Sequence, residues 1–146
     1  MAPDAAADYP LGTKRPDAIR TPSGRSLDEL TLDALRAGQL EAADMRATPE
    51  TLRLQAEVAR AAGRMQLAAN LARAAELTAL PDELILEIYT ALRPHRSTQD
   101  ELQGWAGRLE REYDAPLTAA FVREAASVYS QRGLLFAGER APATPV

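Results

Sequence analysis

Proline and its neighbours decide where this chain can be helical. Thr48-Pro49 reads as a strong helix start. The Thr hydroxyl can accept from an orphan backbone N–H, and Pro at the first helical position gives up a donor that had no partner. Glu50 adds a favourable charge to that first turn. Pro81 ends one helix and opens another, with Asp82 and Glu83 in its acidic first turn, and Pro94 forces a stop. Across the whole run from Asp44 to Ser97 the apolar residues recur at helical spacing. No stretch of the chain alternates apolar and polar with β-branched residues, so strands are not expected.

The helices follow from these punctuation marks. Leu52, Gln55, Ala56 and Ala59 line one face of a first helix ending near Gly63, with Leu54 and Val58 off that stripe, so two sides of it can be contacted. Met65, Ala68, Ala69, Ala72 and Ala75 carry a second, beside Leu67, Leu71 and Leu77. A third presents Leu84, Ile85, Ile88, Tyr89 and Leu92 on one face, with Arg93 near its C-terminal dipole. Ser97 and Thr98, each with an acid three residues on, offer alternative capping boxes for a fourth, whose inward face is Leu102, Trp105, Ala106, Leu109 and Tyr113. A fifth opens at Pro116 and is expected to bury Leu117, Ala120, Phe121, Ala125 and Val128 before Gly133 ends it. The fold class is therefore all-α: an open bundle of about five helices over residues 48–133.

Ahead of the bundle lies a different kind of chain. Residues 1–7 are small and acidic and read as a disordered lead. Residues 8–47 form an irregular arm, in which Pro10, Pro16 and Pro22 with Gly12 and Gly24 favour extended or turn backbone. One short helix of about two turns is expected within it, started by Ser26 or Thr31 and stopped by Gly38. Residues 40–47 read as a turn or a single helical turn. Tyr9, Leu11 and Ile19 are apolar residues that a plain linker does not need, which points to an arm lying in a groove of its own bundle or of a partner. Residues 134–146 read as a C-terminal tail.

The interior is thin. Alanine supplies 30 of the 67 hydrophobic residues, and Leu 20 of the remaining 37. Alanine buries little area, so either the helices approach closely or a partner completes the core. No Cys is present and the net charge is −4, with the signs interspersed. That balance disfavours nucleic acid, which wants a basic patch. No apolar run is long enough for a membrane span, and a soluble, cytoplasmic protein is expected. Sixteen Arg stand against one Lys, Lys14, a bias that suits interface ion pairs or reflects coding composition.

The chain offers no constellation for chemistry. One His, His95, and no Cys cannot build a zinc site of the usual kind. There is no Gly-rich phosphate loop, and the five serines lie in no nucleophile-elbow setting. Glu83, Glu87, Glu110 and Glu112 read as solvated faces. No catalytic, cofactor-binding or metal-binding residue is expected. The most distinct short stretch is the corner Arg93-Pro94-His95-Arg96, where Arg93 and Arg96 can grip a carboxylate or a carbonyl rim on a partner, or simply face water. Candidate partner-binding residues are thus Tyr9, Leu11, Ile19, Arg93 and Arg96.

Several blocks in order resemble a known family: Asp8-Tyr9-Pro10-Leu11, Thr21-Pro22-Ser23-Gly24, Asp44-Met45-Arg46, and Thr48 to Leu52 with Gln55-Ala56. Further matches are Arg73 to Leu77, Pro81-Asp82, Ile85 to Tyr89, Ala91 to Pro94 with Arg96-Ser97, and Ala119 to Glu124. From Asp8 to about Leu135 the chain is similar to the small (gamma) subunit of adenosylcobalamin-dependent diol and glycerol dehydratases. The resemblance implies a lyase complex that converts 1,2-diols or glycerol to aldehydes by a radical route. It implies a dimer of three-subunit units, with the substrate site in a large barrel subunit. Adenosylcobalamin would lie between the large and medium subunits, with none bound by this chain. The small subunit would be a helical piece with an irregular arm, docked outside the large subunit.

Two departures qualify that picture. Some small subunits of this type carry a longer N-terminal extension linked to packaging in bacterial microcompartments. Only about seven residues precede Asp8 here, so a packaging extension is not expected in this chain, although the complex can still reach a microcompartment through another subunit. The arm is nearer the glycerol-type pattern and Thr48 to Ala56 nearer the diol-type, which leaves the substrate open. The alternative to a dehydratase subunit is a free-standing helical adaptor or regulator.

Overall fold

The computed structural model describes residues 4–138. They are helical throughout, apart from turns, loops and one isolated bridge between Arg20 and Ser26. The chain divides into two units, one up to Ala79 and one from Leu80 onward. The boundary falls inside the segment 48–133 that the helix pattern alone suggested as one bundle.

The first unit begins with short turns: α1 (Ala5–Asp8), α2 (Leu11–Lys14) and a 3-10 turn at Pro16–Ala18. Of the expected disordered lead, residues 1–3 lie outside the described part, while Ala5–Asp8 makes one helical turn. The single short helix expected before Gly38 is two pieces. Ser26 caps a 3-10 turn at Leu27–Glu29 through a reciprocal capping box, and Thr31 starts α3 (Leu32–Arg36) by accepting from the Ala34 N–H. Each of the two start signals is used, so the chain turns between them instead of running through. A further 3-10 turn, Ala42–Met45, leads into α4 (Pro49–Ala61).

Thr48 caps α4 as its position ahead of Pro49 requires, accepting from the Thr51 N–H at 3.3 Å. The helix ends in a Schellman motif. Arg64 N–H donates to Ala59 O at 2.8 Å and Gly63 N–H to Arg60 O at 2.9 Å, with Gly63 left-handed at φ 73°. Reversal there lets α5 (Met65–Leu77) pack back along α4 as a helical hairpin. Ala56, Val58 and Ala59 on α4, and Ala68 and Ala75 on α5, are buried. Val58 thus confirms that α4 is covered beyond its main stripe, whereas Gln55, Met65 and Ala69 are exposed. Alanine at the contact lets the two backbones approach closely.

The second unit holds α6 (Asp82–Ala91), α7 (Gln99–Glu112) and α8 (Pro116–Arg132). Thr98, not Ser97, forms the capping box of α7: it accepts from the Glu101 N–H at 3.2 Å, and its own N–H donates to Glu101 at 2.8 Å. Leu102, Ala106 and Leu109 on α7 are buried, as the spacing indicated, while Trp105 and Tyr113 are partly so. On α6, Leu84 and Ile88 are buried but Tyr89 is 60 % exposed.

Helix α8 turns the opposite way from the sequence expectation. Leu117, Ala120, Phe121 and Val128, assigned to the core for their size or spacing, are exposed, and Ala125 is only partly covered. The buried face is Thr118, Ala119, Val122 and Ala126, together with Ala115 just before the helix. Small side chains on this face bring α8 close against α7, and the larger apolar groups are left outside. Its end is a second Schellman turn, with Gly133 at φ 65° and Leu134 N–H donating to Tyr129 O at 2.8 Å. Of the expected tail, residues 139–146 lie outside the described part.

Candidate partner-binding surface

The apolar residues of the arm do not form one patch. Tyr9 is 68 % exposed, Ile19 is partly covered, and Leu11 is only 7 % exposed. Leu11 opens α2 and is covered within its own chain. Tyr9 remains an outward-facing aromatic, next to Asp8, whose carboxylate pairs with Arg15 at 3.6 Å.

What fixes the arm is a polar knot that no spacing rule indicated. Asp44, 3 % exposed, accepts from the Thr21 hydroxyl at 2.8 Å, from the Ser23 hydroxyl by a short bond, and from the Glu41 N–H at 3.0 Å. The Thr21 hydroxyl in turn accepts from the Arg25 N–H at 3.1 Å, and the Arg25 guanidinium lies 3.9 Å from the Asp44 carboxylate. A buried carboxylate is tolerable when its lone pairs are filled in this way. The Ser23 hydroxyl foremost, then the Glu41 N–H and the Thr21 hydroxyl, with a smaller contribution from Arg25, hold the Asp44 carboxyl down to about 2. The knot ties the Thr21–Gly24 turn to the 3-10 turn at Ala42–Met45. Two blocks that carry the family resemblance, separated in sequence, are therefore one structural unit.

In the second unit, the Arg93–Arg96 corner is held by its backbone. His95, left-handed at φ 61°, donates its N–H to Leu134 O at 2.7 Å, and Phe136 N–H donates to Ser97 O at 2.9 Å. Buried Ser97 donates its hydroxyl to Ala91 O at 2.8 Å, and the Tyr129 hydroxyl donates to Leu92 O at 2.5 Å. The side chains of Arg93 and Arg96 are exposed on this frame. Beside the corner lies an open groove of about 600 Å³, with Leu86, His95, Trp105 and Phe136 among its walls. Arg108 stacks over Trp105, 4.8 Å from the ring centre. Among the described residues no three His, Asp or Glu side chains gather as a metal site would require, and no helix is long and apolar enough to cross a membrane.

Comparison with known proteins identifies the family. Residues 5–136 match the model of a family described as the dehydratase small subunit. The chain belongs to that family. It is 57 % identical over 125 residues to the propanediol dehydratase small subunit of Citrobacter freundii, spanning 86 % of this chain and 73 % of that protein. It is 55 % identical over 126 residues to the propanediol dehydratase small subunit of Salmonella typhimurium, with the same two coverages. As a dehydratase small subunit, this chain has other subunits for partners, and a free-standing adaptor is set aside. The match includes both the Asp44 knot and α8, so the whole described framework lies within the family.

Proposed function

We propose that this chain is the non-catalytic small subunit of an adenosylcobalamin-dependent dehydratase that converts 1,2-propanediol or glycerol to the aldehyde and water. It docks on the large catalytic subunit and stabilises it, within a dimer of three-subunit units that includes a medium subunit. One observation carries the reading: identity above one half, over most of the chain, to two propanediol dehydratase small subunits.

Chemistry supports assigning substrate and cofactor to the other subunits. Radical dehydration needs a closed site that excludes water while the cofactor's cobalt–carbon bond is broken. The groove in the second unit is open, and at about 600 Å³ it is of the size that holds a drug-like ligand, well short of a corrinoid. His95 is the one imidazole in the chain, and it stands exposed on a turn. These residues do not fit a cobalamin. Location in the cytoplasm, with or without enclosure in a microcompartment, goes with the proposed complex.

Reconstitution tests this. Large and medium subunits are assayed with 1,2-propanediol and with glycerol, plus adenosylcobalamin, with and without this chain. Activity that appears, or persists, only with all three chains supports the proposal. Turnover or cofactor binding by this chain alone overturns the division of labour, and full, lasting activity without it overturns the stabilising role.

A further inference from the structure

The outward face of α8 carries an ordered pattern. Leu117, Phe121, Glu124 and Val128 are spaced four, three and four residues apart, the repeat by which one helix receives another along a seam. All four are exposed, the three apolar ones by 49 %, 40 % and 37 %. Ala120 and Ala125 flank them, small enough to let a second helix come close. The inward face of the same helix is a separate stripe, Thr118, Ala119, Val122 and Ala126, already packed within the chain. The outer stripe is therefore not a displaced core; it is a second apolar seam on a helix whose first seam is in use.

Glu124 decides what can occupy it. A carboxylate in the middle of an apolar seam is tolerable in a buried contact only where a cation or hydrogen-bond donors meet it. A second copy paired stripe to stripe provides neither. Paired antiparallel along the stripe, each Glu124 would face Phe121 of the other copy; paired parallel, it would face its own equivalent. We propose that this seam receives an amphipathic helix of another subunit of the dehydratase, apolar at the matching spacing and bearing an Arg or Lys opposite Glu124. The proposal rests on the assembly reading above and adds to it the surface and the chemistry of its complement.

The test uses the assembled complex. This chain is co-expressed with the cognate dehydratase subunits and captured through one of them, as wild type, Phe121→Asp, Glu124→Arg and Leu32→Asp. Leu32, 70 % exposed on α3 in the other unit, is the control. Wild type and Leu32→Asp are expected to co-purify, while Phe121→Asp and Glu124→Arg bind about tenfold or more weakly, as loss of a central interface residue does. Circular dichroism of each isolated chain checks the fold; if Phe121→Asp lowers the melting temperature, Phe121→Ser replaces it. Equal recovery of wild type and both seam variants overturns the seam alone. Failure of the wild type itself to co-purify overturns the assembly reading and this one with it. A wild-type homodimer in light scattering that Phe121→Asp dissociates assigns the seam to a second copy and overturns the proposed occupant.

Discussion

The Thr21 hydroxyl donates to the Asp44 carboxylate across 2.8 Å, and the two lie 23 positions apart in the chain. This bond and the one from Ser23 give the arm a defined path without a helix of useful length. Asp44→Ala leaves two hydroxyls and the Glu41 N–H without their acceptor. The melting temperature is expected to fall, because the Thr21 hydroxyl is buried and loses its acceptor, while Ser23 and Glu41 are exposed and can turn to water. Thermal melting of the isolated chain measures it, and limited proteolysis should show faster cleavage ahead of residue 47.

The same carboxylate confers a pH dependence. Its value falls from an ordinary 3.8 to about 2 on folding. A depressed carboxyl contributes stability above the unfolded value and loses it as pH falls through the folded one. The contribution is thus complete above about pH 4 and declines towards about pH 2. Between those limits the wild type should lose more melting temperature than Asp44→Asn, which keeps an acceptor oxygen but no titrating charge. Parallel acid profiles of the two proteins would count against the knot as an electrostatic device.

Tyr129 bonds the Leu92 carbonyl at the end of α6. Tyr129→Phe keeps the ring and removes the donor. An effect of about 0.5–1.5 kcal/mol on unfolding is expected, read from denaturant titration with an unchanged m-value.

Arg93 and Arg96 are exposed on a corner held by backbone bonds. Arg93→Ala should change the stability of the isolated chain by no more than about 0.5 kcal/mol, as for other surface positions. A contribution to assembly would appear only in the complex, as weaker recovery with the other subunits. Tyr9→Ala should behave alike, with the isolated fold unaffected.

Helix starts were legible because they depend on local chemistry. Thr48-Pro49 and Thr98 with Glu101 carry their caps within four residues, and the structure uses both. The inward face of α8 was not legible for a specific reason. Choosing the largest apolar side chains as core selects Leu117, Phe121 and Val128, but the helix is apolar on two sides and packs with its small one. Asp44 was visible only as part of a resemblance, since hydrogen bonds between distant segments leave no periodic trace. The burial of Leu11 was not legible either, because prolines surround it, yet a single turn of helix suffices to cover it.

The return of the chain at residues 134–136 onto the 95–97 corner has a consequence for how this protein can change over generations. Both linking bonds, His95 to Leu134 and Phe136 to Ser97, run from main chain to main chain. Replacing the side chains of residues 95, 134 or 136 leaves those donors and acceptors in place, provided the newcomer is not proline and residue 95, left-handed at φ 61°, does not become β-branched. Adding or removing one residue between Arg132 and Phe136 shifts both bonds out of register at once. A change in the number of residues at this junction should therefore be tolerated less well than a change in which residues they are, residue 95 excepted.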